Sequence, residues 1–182
     1  MKYMFASDIH GSAAQLEKLM KIFETSGARK LILMGDLLYH GPRNDLPEEY
    51  STKRCMELYN AHRDDIICCR GNCDAEIDQT VLEFPIDATY NTLYLNGKRY
   101  FTTHGHQYSP ENLPPTGVCD VFVSGHTHIP VAEKRGDLYL LNPGSASIPK
   151  GGYAASYGML DDDNRFTIYD FEGNTIKAIT IA

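Results

Sequence analysis

The chain has 182 residues, enough for a single domain with a sizeable core, and its 42% hydrophobic content argues against disorder. Its formal charge is −7, from 17 basic and 24 acidic residues with no Lys/Arg-rich run, so an extended nucleic-acid or anionic-membrane face is not expected. The five cysteines (Cys55, Cys68, Cys69, Cys73 and Cys119) are odd in number and lack CxxC spacing, and no apolar run is long enough to span a membrane.

Reduced thiols in a cytoplasm fit that cysteine usage. At the N-terminus, Met1-Lys2-Tyr3-Met4-Phe5-Ala6-Ser7-Asp8 meets a charged motif before a signal-peptide core can form. Residues 3–7 read as a buried strand. Ser12-Ala-Ala-Gln15 reads as a capping box, opening a helix whose Leu16, Leu19, Met20 and Phe23 keep helical spacing up to Gly27. Leu31–Met34 is a second strand; a polar loop with Gly41-Pro42 and Pro47 precedes a helix from about Ser51 to His62. Ile66–Cys69 is a third strand.

Strand–helix–strand–helix–strand predicts parallel pairing with crossover helices. The second half changes character. Asn96-Gly97 between Thr92–Leu95 and Lys98–Thr103 signals a hairpin. Further strands are expected at 121–124, 138–141, 157–160, 166–171 and 175–181. The sum is one mixed α/β domain over residues 1–182, read as two packed sheets flanked by helices.

The chemistry gathers at the strand ends: Asp8-Ile-His10-Gly11, Gly35-Asp36, Gly71-Asn72-Cys73-Asp74, His104-Gly105-His106 and Gly125-His126-Thr127-His128. Ligands of α/β sheets bind beyond the carboxyl ends of strands. Each of these five ends offers a donor beside a glycine, which allows close backbone approach. Taken singly, each piece has a plain explanation: an Asp after a strand serves as a cap or turn residue. Ser12, however, already takes the cap role, and five of the seven histidines fall in these motifs. Together they read as a metal site. Carboxylate, imidazole and one amide, without a thiolate pair, suit Mn²⁺ foremost, with Fe, Co, Ni or Zn as alternatives. Two divalent ions against Asp8, Asp36 and one hydroxide leave a local charge of roughly +1, a phosphate-seeking spot in an acidic protein.

The ordered set of motifs resembles the calcineurin-like metallophosphoesterase superfamily across nearly the whole chain. Within it, Gly35-Asp-Leu-Leu-Tyr-His-Gly-Pro-Arg-Asn44 and Asn142-Pro-Gly-Ser145 with Pro149-Lys-Gly-Gly152 resemble its YfcE-type bacterial phosphodiesterases. The resemblance implies a four-layer α/β/β/α sandwich of two mixed sheets with a dimetal site at one rim. It implies Asp8, His10, Asp36 and His128 on a first metal, and Asp36, Asn72, His104 and His126 on a second, so that Asp36 bridges. His106 is not a ligand in this pattern; a substrate-facing, supporting or purely structural role is open to it.

Cys73 is a departure, because many superfamily members carry His there to help the leaving group. Cys occurs at this place in YfcE-like members as well, so Cys73 is either a catalytic group or a small space-filler. His40 and Arg43, in the loop beyond Asp36, are candidates for proton donation and phosphate contact, against a reading as plain solvated loop. Lys150 is by default a surface lysine.

The expected function is metal-dependent hydrolysis of a small phosphodiester by a dimetal-activated hydroxide. A phosphomonoesterase or nucleotidase of the same superfamily is the first alternative. A non-catalytic protein-binding scaffold, as a related fold provides in the retromer coat, is the second. The intact ligand set weighs against the scaffold, and assembly into a homo-oligomer stays open.

Overall fold

A computed structural model describes residues 1–114 and 118–182. Its elements are β1 (Lys2–Ala6), α1 (Ala13–Ser26), β2 (Ala28–Leu33), α2 (Thr52–Ala61), β3 (Ile66–Cys68), β4 (Tyr90–Leu95), β5 (Lys98–Thr103), β6 (Val121–Val123), β7 (Val131–Arg135), β8 (Leu138–Asn142), β9 (Ser156–Leu160), β10 (Arg165–Asp170) and β11 (Thr175–Thr180). One sheet has the order β11-β10-β9-β1-β2-β3 and the other β4-β5-β6-β8-β7. Both are mixed. Strands β1, β2 and β3 run parallel, as do β5, β6 and β8; β9, β10 and β11 pair antiparallel on the far side of β1, and β4 and β7 pair antiparallel with β5 and β8.

The alternation of side chains along a strand divides the core. Met4 and Ala6 of β1, with Leu31 and Leu33 of β2, pack under Leu16, Leu19 and Phe23 of α1 and Tyr59 of α2. The intervening Tyr3, Phe5 and Ile32 face the second sheet and meet Tyr100, Val121, Val123, Tyr139 and Leu141. Phe101, Phe122 and Leu140 point outward from the second sheet and are covered by Tyr108 and Leu113, so a loop makes the covering layer on that flank. Both α-helices among the described residues cover the first sheet.

Local details reflect particular residues. Ser12 caps α1 by accepting from the Gln15 amide, and Gly27 ends it at φ 74°, the left-handed turn that glycine takes without penalty. Only half of the expected capping box forms, because the Ser12 N–H donates to Ile9 O at 3.1 Å rather than to the Gln15 side chain, whose amide nitrogen donates to Glu48 at 3.2 Å. The Asn96-Gly97 hairpin has positive φ at both residues (47° and 83°), the type I′ twist that matches paired strands. Strand β7, Val131-Ala-Glu-Lys-Arg135, is not expected from sequence. It is a charged edge strand, and its exposed Glu133, Lys134 and Arg135 hide it from any hydrophobic count while blunting the edge.

Candidate metal centre

The carboxyl ends of β1, β2, β3, β5 and β6 converge on one rim and bring together Asp8, His10, Asp36, Asn72, His104, His126 and His128. Five of these seven, Asp8, His10, Asp36, His126 and His128, have φ between 49° and 63°. Non-glycine residues pay on the order of 1–2 kcal/mol for that conformation, and such strain gathers where the surroundings hold it for a purpose. Here the ladder between the first two loops holds it: Asp8 N–H donates to Gly35 O (3.1 Å), His10 N–H to Asp36 O (2.9 Å) and Gly11 N–H to Leu37 O (3.0 Å). Gly71 admits no side chain, since a Cβ there would stand 2.1 Å from Asp36 Oδ1.

Three imidazoles are oriented by backbone carbonyls. His10 Nδ1 lies 2.8 Å from Tyr39 O, His128 Nδ1 2.6 Å from Ile148 O, and His104 Nδ1 2.5 Å from Met34 O. A carbonyl only accepts, so each Nδ1 carries a hydrogen, and in the neutral ring each Nε2 presents a lone pair to the centre. There the acceptors crowd. His10 Nε2 and His128 Nε2 are 3.4 Å apart, and His128 Nε2 is 3.2 Å from Asp8 Oδ1. Asp36 Oδ2 lies 3.6 Å from His10 Nε2 and 3.4 Å from His104 Nε2, which is itself 3.0 Å from Asn72 Oδ1. Two atoms bound to one ion at about 2.0–2.2 Å lie roughly 3.0–3.5 Å apart, so this crowding has the spacing of a ligand set. Asp8 Oδ1 is buried with no hydrogen-bond partner, an orphaned anion oxygen that a cation would satisfy. The donors therefore fit divalent metal. His126 stands at the rim, partly buried, with its ring 5.1 Å from that of His104 and its N–H donating to Asp8 Oδ2 at 3.0 Å.

Charge in the metal-free cluster is set by this crowding. Burial disfavours the Asp36 carboxylate, but the hydrogen bond and charge of His104, the Cys73 N–H and His10 outweigh it and hold the pKa at about 2. Burial likewise opposes protonation of His104, yet Asp36 and Asp8 raise it to about 9. Asp8 is buried too, and His128 and His104 lower it all the same.

The remaining sequence candidates are spread differently. Arg43 and Cys73 line a cleft of about 380 Å³ beside the cluster, together with Asn44 and Lys150. Cys73 donates its N–H to Asp36 Oδ1 at 2.8 Å; burial and the Asp36 charge push its thiol up to about 12. His106 stands exposed with its ring 5.3 Å from that of His104 and lines a neighbouring cleft. The His40 ring packs between Tyr39 and Tyr50 and does not line the cleft, which counts against the expected proton-donating position.

Two sets of supporting residues escape the sequence reading. Asp74, visible there only as part of a motif, accepts from the backbone N–H of Asp36 (2.9 Å), Leu37 (2.7 Å) and Gly71 (2.7 Å), tying the β2 loop to the β3 loop. A carboxylate ending a Gly-Asn-Cys-Asp turn is the available signal. Ser145 and Ser147 donate to Asp8 O at 2.7 and 3.0 Å, fixing the strained first loop.

Residues 1–165 match the calcineurin-like phosphoesterase superfamily domain. The chain belongs to this superfamily. It is 54% identical to phosphodiesterase YfcE of Escherichia coli (strain K12) over 163 residues, 90% of this chain and 89% of YfcE. The solved structure of E. coli YfcE, described as a phosphoesterase, superposes with a TM-score of 0.95 over all of both chains at 48% identity. Phosphodiesterase MJ0936 of Methanocaldococcus jannaschii is 27% identical over 175 residues, 91% of this chain and 95% of that protein. Vps29 of Entamoeba histolytica shares the fold, with a TM-score of 0.66 at 18% identity over 98% of each chain. Among the described residues, no helix is long and apolar enough to cross a membrane.

Proposed function

We propose that this protein is a cytoplasmic, metal-dependent phosphodiesterase that hydrolyses small phosphodiesters with two divalent ions, Mn²⁺ foremost. The observation that carries the reading is the crowd of acceptors around the partnerless Asp8 Oδ1, beside a cleft edged by Arg43 and Lys150. The 54% identity to a named phosphodiesterase supports the choice of diester. On this reading Asp8, His10, Asp36 and His128 hold the first ion, and Asp36, Asn72, His104 and His126 the second. The oxygen and nitrogen donors, with Cys73 as the one thiol at the cluster, favour Mn²⁺ over softer ions. When bound, such a pair lowers the pKa of a water and neutralises charge on the phosphate.

The protein's own groups do the rest. Tyr39 O, Ile148 O and Met34 O keep three imidazoles in the ligating tautomer. Asp74 holds the Asp36 backbone in its strained turn. Arg43 and Lys150 attract a phosphate into the cleft, and a guanidinium offers it two parallel hydrogen bonds. Cys73 lines the same cleft, and its thiol, which stays protonated at neutral pH, is too weak an acid to give a departing alkoxide much help. The partners on this reading are the diester and, in a homo-oligomer, a second copy of the chain.

The deciding experiment compares an aryl phosphodiester with its matched monoester, with Mn²⁺ and after chelation. The expected result is faster diester turnover that chelation abolishes. Faster monoester turnover would make the protein a phosphomonoesterase; no turnover with metal bound would favour the scaffold.

A further inference from the structure

A second cleft of about 360 Å³ opens on the far side of Asn72, between the end of β3, the start of β4 and the end of β5. Arg70, Asp87, Thr89, His106 and Gln107 line it, and Asn72 belongs to both clefts. The partition is narrow. His126 edges the first cleft and His106 the second, and their rings are 6.2 Å apart, with the His104 ring 5.1 and 5.3 Å from each. A phosphate held at the cluster thus has one cleft on either side of it. A phosphodiester, unlike a monoester, has two substituents to place.

The two clefts differ in charge. The first carries Arg43 and Lys150. In the second, the Arg70 guanidinium lies 3.8 Å from an Asp87 carboxylate oxygen, and its Nε donates to Asp74 O at 3.2 Å. The lining offers donors and acceptors side by side, and no aliphatic or aromatic hydrocarbon side chain. An anionic arm would meet the Asp87 carboxylate, and an alkyl or aryl arm would find only the Thr89 methyl, the Arg70 and Gln107 methylenes and the exposed His106 ring, with polar groups between them. Hydroxyl groups, which donate and accept, match such a lining. Its backbone is fixed: Arg70 N–H donates to Ala88 O at 2.8 Å, and Thr103 Oγ1 to Thr89 O at 2.9 Å.

We infer that the cleft bounded by Asn72, Arg70, Asp87, Thr89, His106 and Gln107 receives the second ester arm of the substrate, and that this arm is an uncharged, hydroxyl-bearing group such as a glyceryl or glycosyl unit. The inference rests on the phosphodiesterase reading and adds the chemistry of the substrate to it.

Binding of two symmetric diesters, dimethyl phosphate and bis(glyceryl) phosphate, to the Mn²⁺-loaded protein tests it by calorimetry. Symmetry places a glyceryl arm in each cleft whichever arm departs. The glyceryl diester should bind about five- to tenfold more tightly, the yield of one or two net hydrogen bonds. The double variant Thr89→Val with Gln107→Ala changes only exposed side chains and should lower that ratio about fivefold while dimethyl phosphate binds as before. Equal affinities in the wild type, or a preference undiminished in the double variant, would overturn the assignment. Aryl diester turnover by the same sample separates the two readings. Turnover without polyol preference sinks the second-cleft assignment alone, and polyol preference without turnover sinks the phosphodiesterase reading and the substrate assignment built on it, leaving only a polyol-binding cleft.

Discussion

The Nε2 atoms of His10 and His128 stand 3.4 Å apart although each ring already donates its Nδ1 hydrogen to a carbonyl. Two lone pairs held face to face repel, and Asp8 Oδ1, 3.2 Å from His128, adds a negative charge to the same space. Only a shared proton or a cation relieves this arrangement. The fold therefore stores repulsion at its metal centre, and ion binding should report on stability as well as on rate.

Metal removal is the first prediction. A ligand present at 100 times its Kd stabilises by about 2.7 kcal/mol, and about 2–4 °C per kcal/mol applies to a chain of this size. Chelation should lower Tm by about 5–10 °C relative to the Mn²⁺-loaded protein. In metal titrations His128→Ala should empty the first site and His126→Ala the second. An unchanged Tm, or the same loss from both variants, would contradict the assignment.

Asp36→Asn should cost more activity than any other single ligand change. Asp36 Oδ2 lies close to both His10 and His104, at 3.6 and 3.4 Å. Asp74→Asn should come next, with metal affinity down about 10–100-fold, the usual effect of removing a partner that orients a ligand. An amide has one carbonyl oxygen where Asp74 uses two carboxylate oxygens to receive three backbone N–H groups. Elemental analysis and Kd values for Mn²⁺ check both. An Asp36→Asn protein that keeps two ions and most of its turnover would end the bridging role.

Much of this is legible in sequence because it depends on residue type. Asn96-Gly97 adopts positive φ readily, so the hairpin is expected, and the β1, β2 and β3 repeats of apolar residues ending in Asp, His or Asn mark the rim. The hidden part depends on backbone. Every residue has a carbonyl, so nothing in the letters distinguishes Tyr39, Ile148 and Met34 as the carbonyls that orient His10, His128 and His104. Strand β7 is hidden because its edge position favours charge over hydrophobicity. His40 illustrates the opposite failure: its place in a motif loop suggests the cleft, while the aromatic faces of Tyr39 and Tyr50 hold its ring elsewhere.

The pH dependence of the metal-free protein has a definite sign. The His104 pKa is raised from 6.5 to about 9, so its stabilisation is full below pH 6.5 and is lost as pH rises through about 9. Asp36, lowered from 3.8 to about 2, contributes above pH 3.8 and loses that contribution as pH falls through about 2. His106 and His126 are lowered by burial and by the charge of His104, so they act only below pH 6.5 and in the opposite direction to His104. With metal bound, His104 is already neutral and binding tightens as pH rises. The Tm gap between metal-loaded and chelated protein should widen from pH 6.5 to 9. Parallel curves across that range would remove His104 from the second site.

Arg43→Ala is expected to raise KM more than it lowers kcat, because a contact to phosphate made in both ground and transition states is lost. Arg43 lines the cleft with Lys150, so the double variant should be worse than either alone. Steady-state kinetics on one diester suffice, and an unchanged KM would leave Arg43 as plain loop.

The role of Cys73 is tested by which leaving groups the protein can expel. Its thiol is held protonated, at a pKa of about 12, by burial and by the neighbouring carboxylate of Asp36. So weak an acid gives little help to a departing alkoxide, and Asn72 Nδ2 already approaches Sγ at 3.3 Å. The rate of bond cleavage should therefore depend steeply on leaving-group pKa, with aryl diesters cleaved far faster than alkyl ones. Cys73→His should rescue the poor leaving groups selectively, by up to about 10²–10⁴-fold if the imidazole reaches the departing oxygen. Space is the obstacle: a Cβ at Gly41 would already lie 3.3 Å from Sγ, so the larger ring has to turn toward the open cleft. Metal content and Tm of the variant separate a misfit from an idle imidazole. A leaving-group series for both proteins gives the answer. With cleavage rate-limiting, a flat series in the wild type would mean that another group already supplies the proton. His106, at the edge of the second cleft and 5.3 Å from the His104 ring, would then take that role.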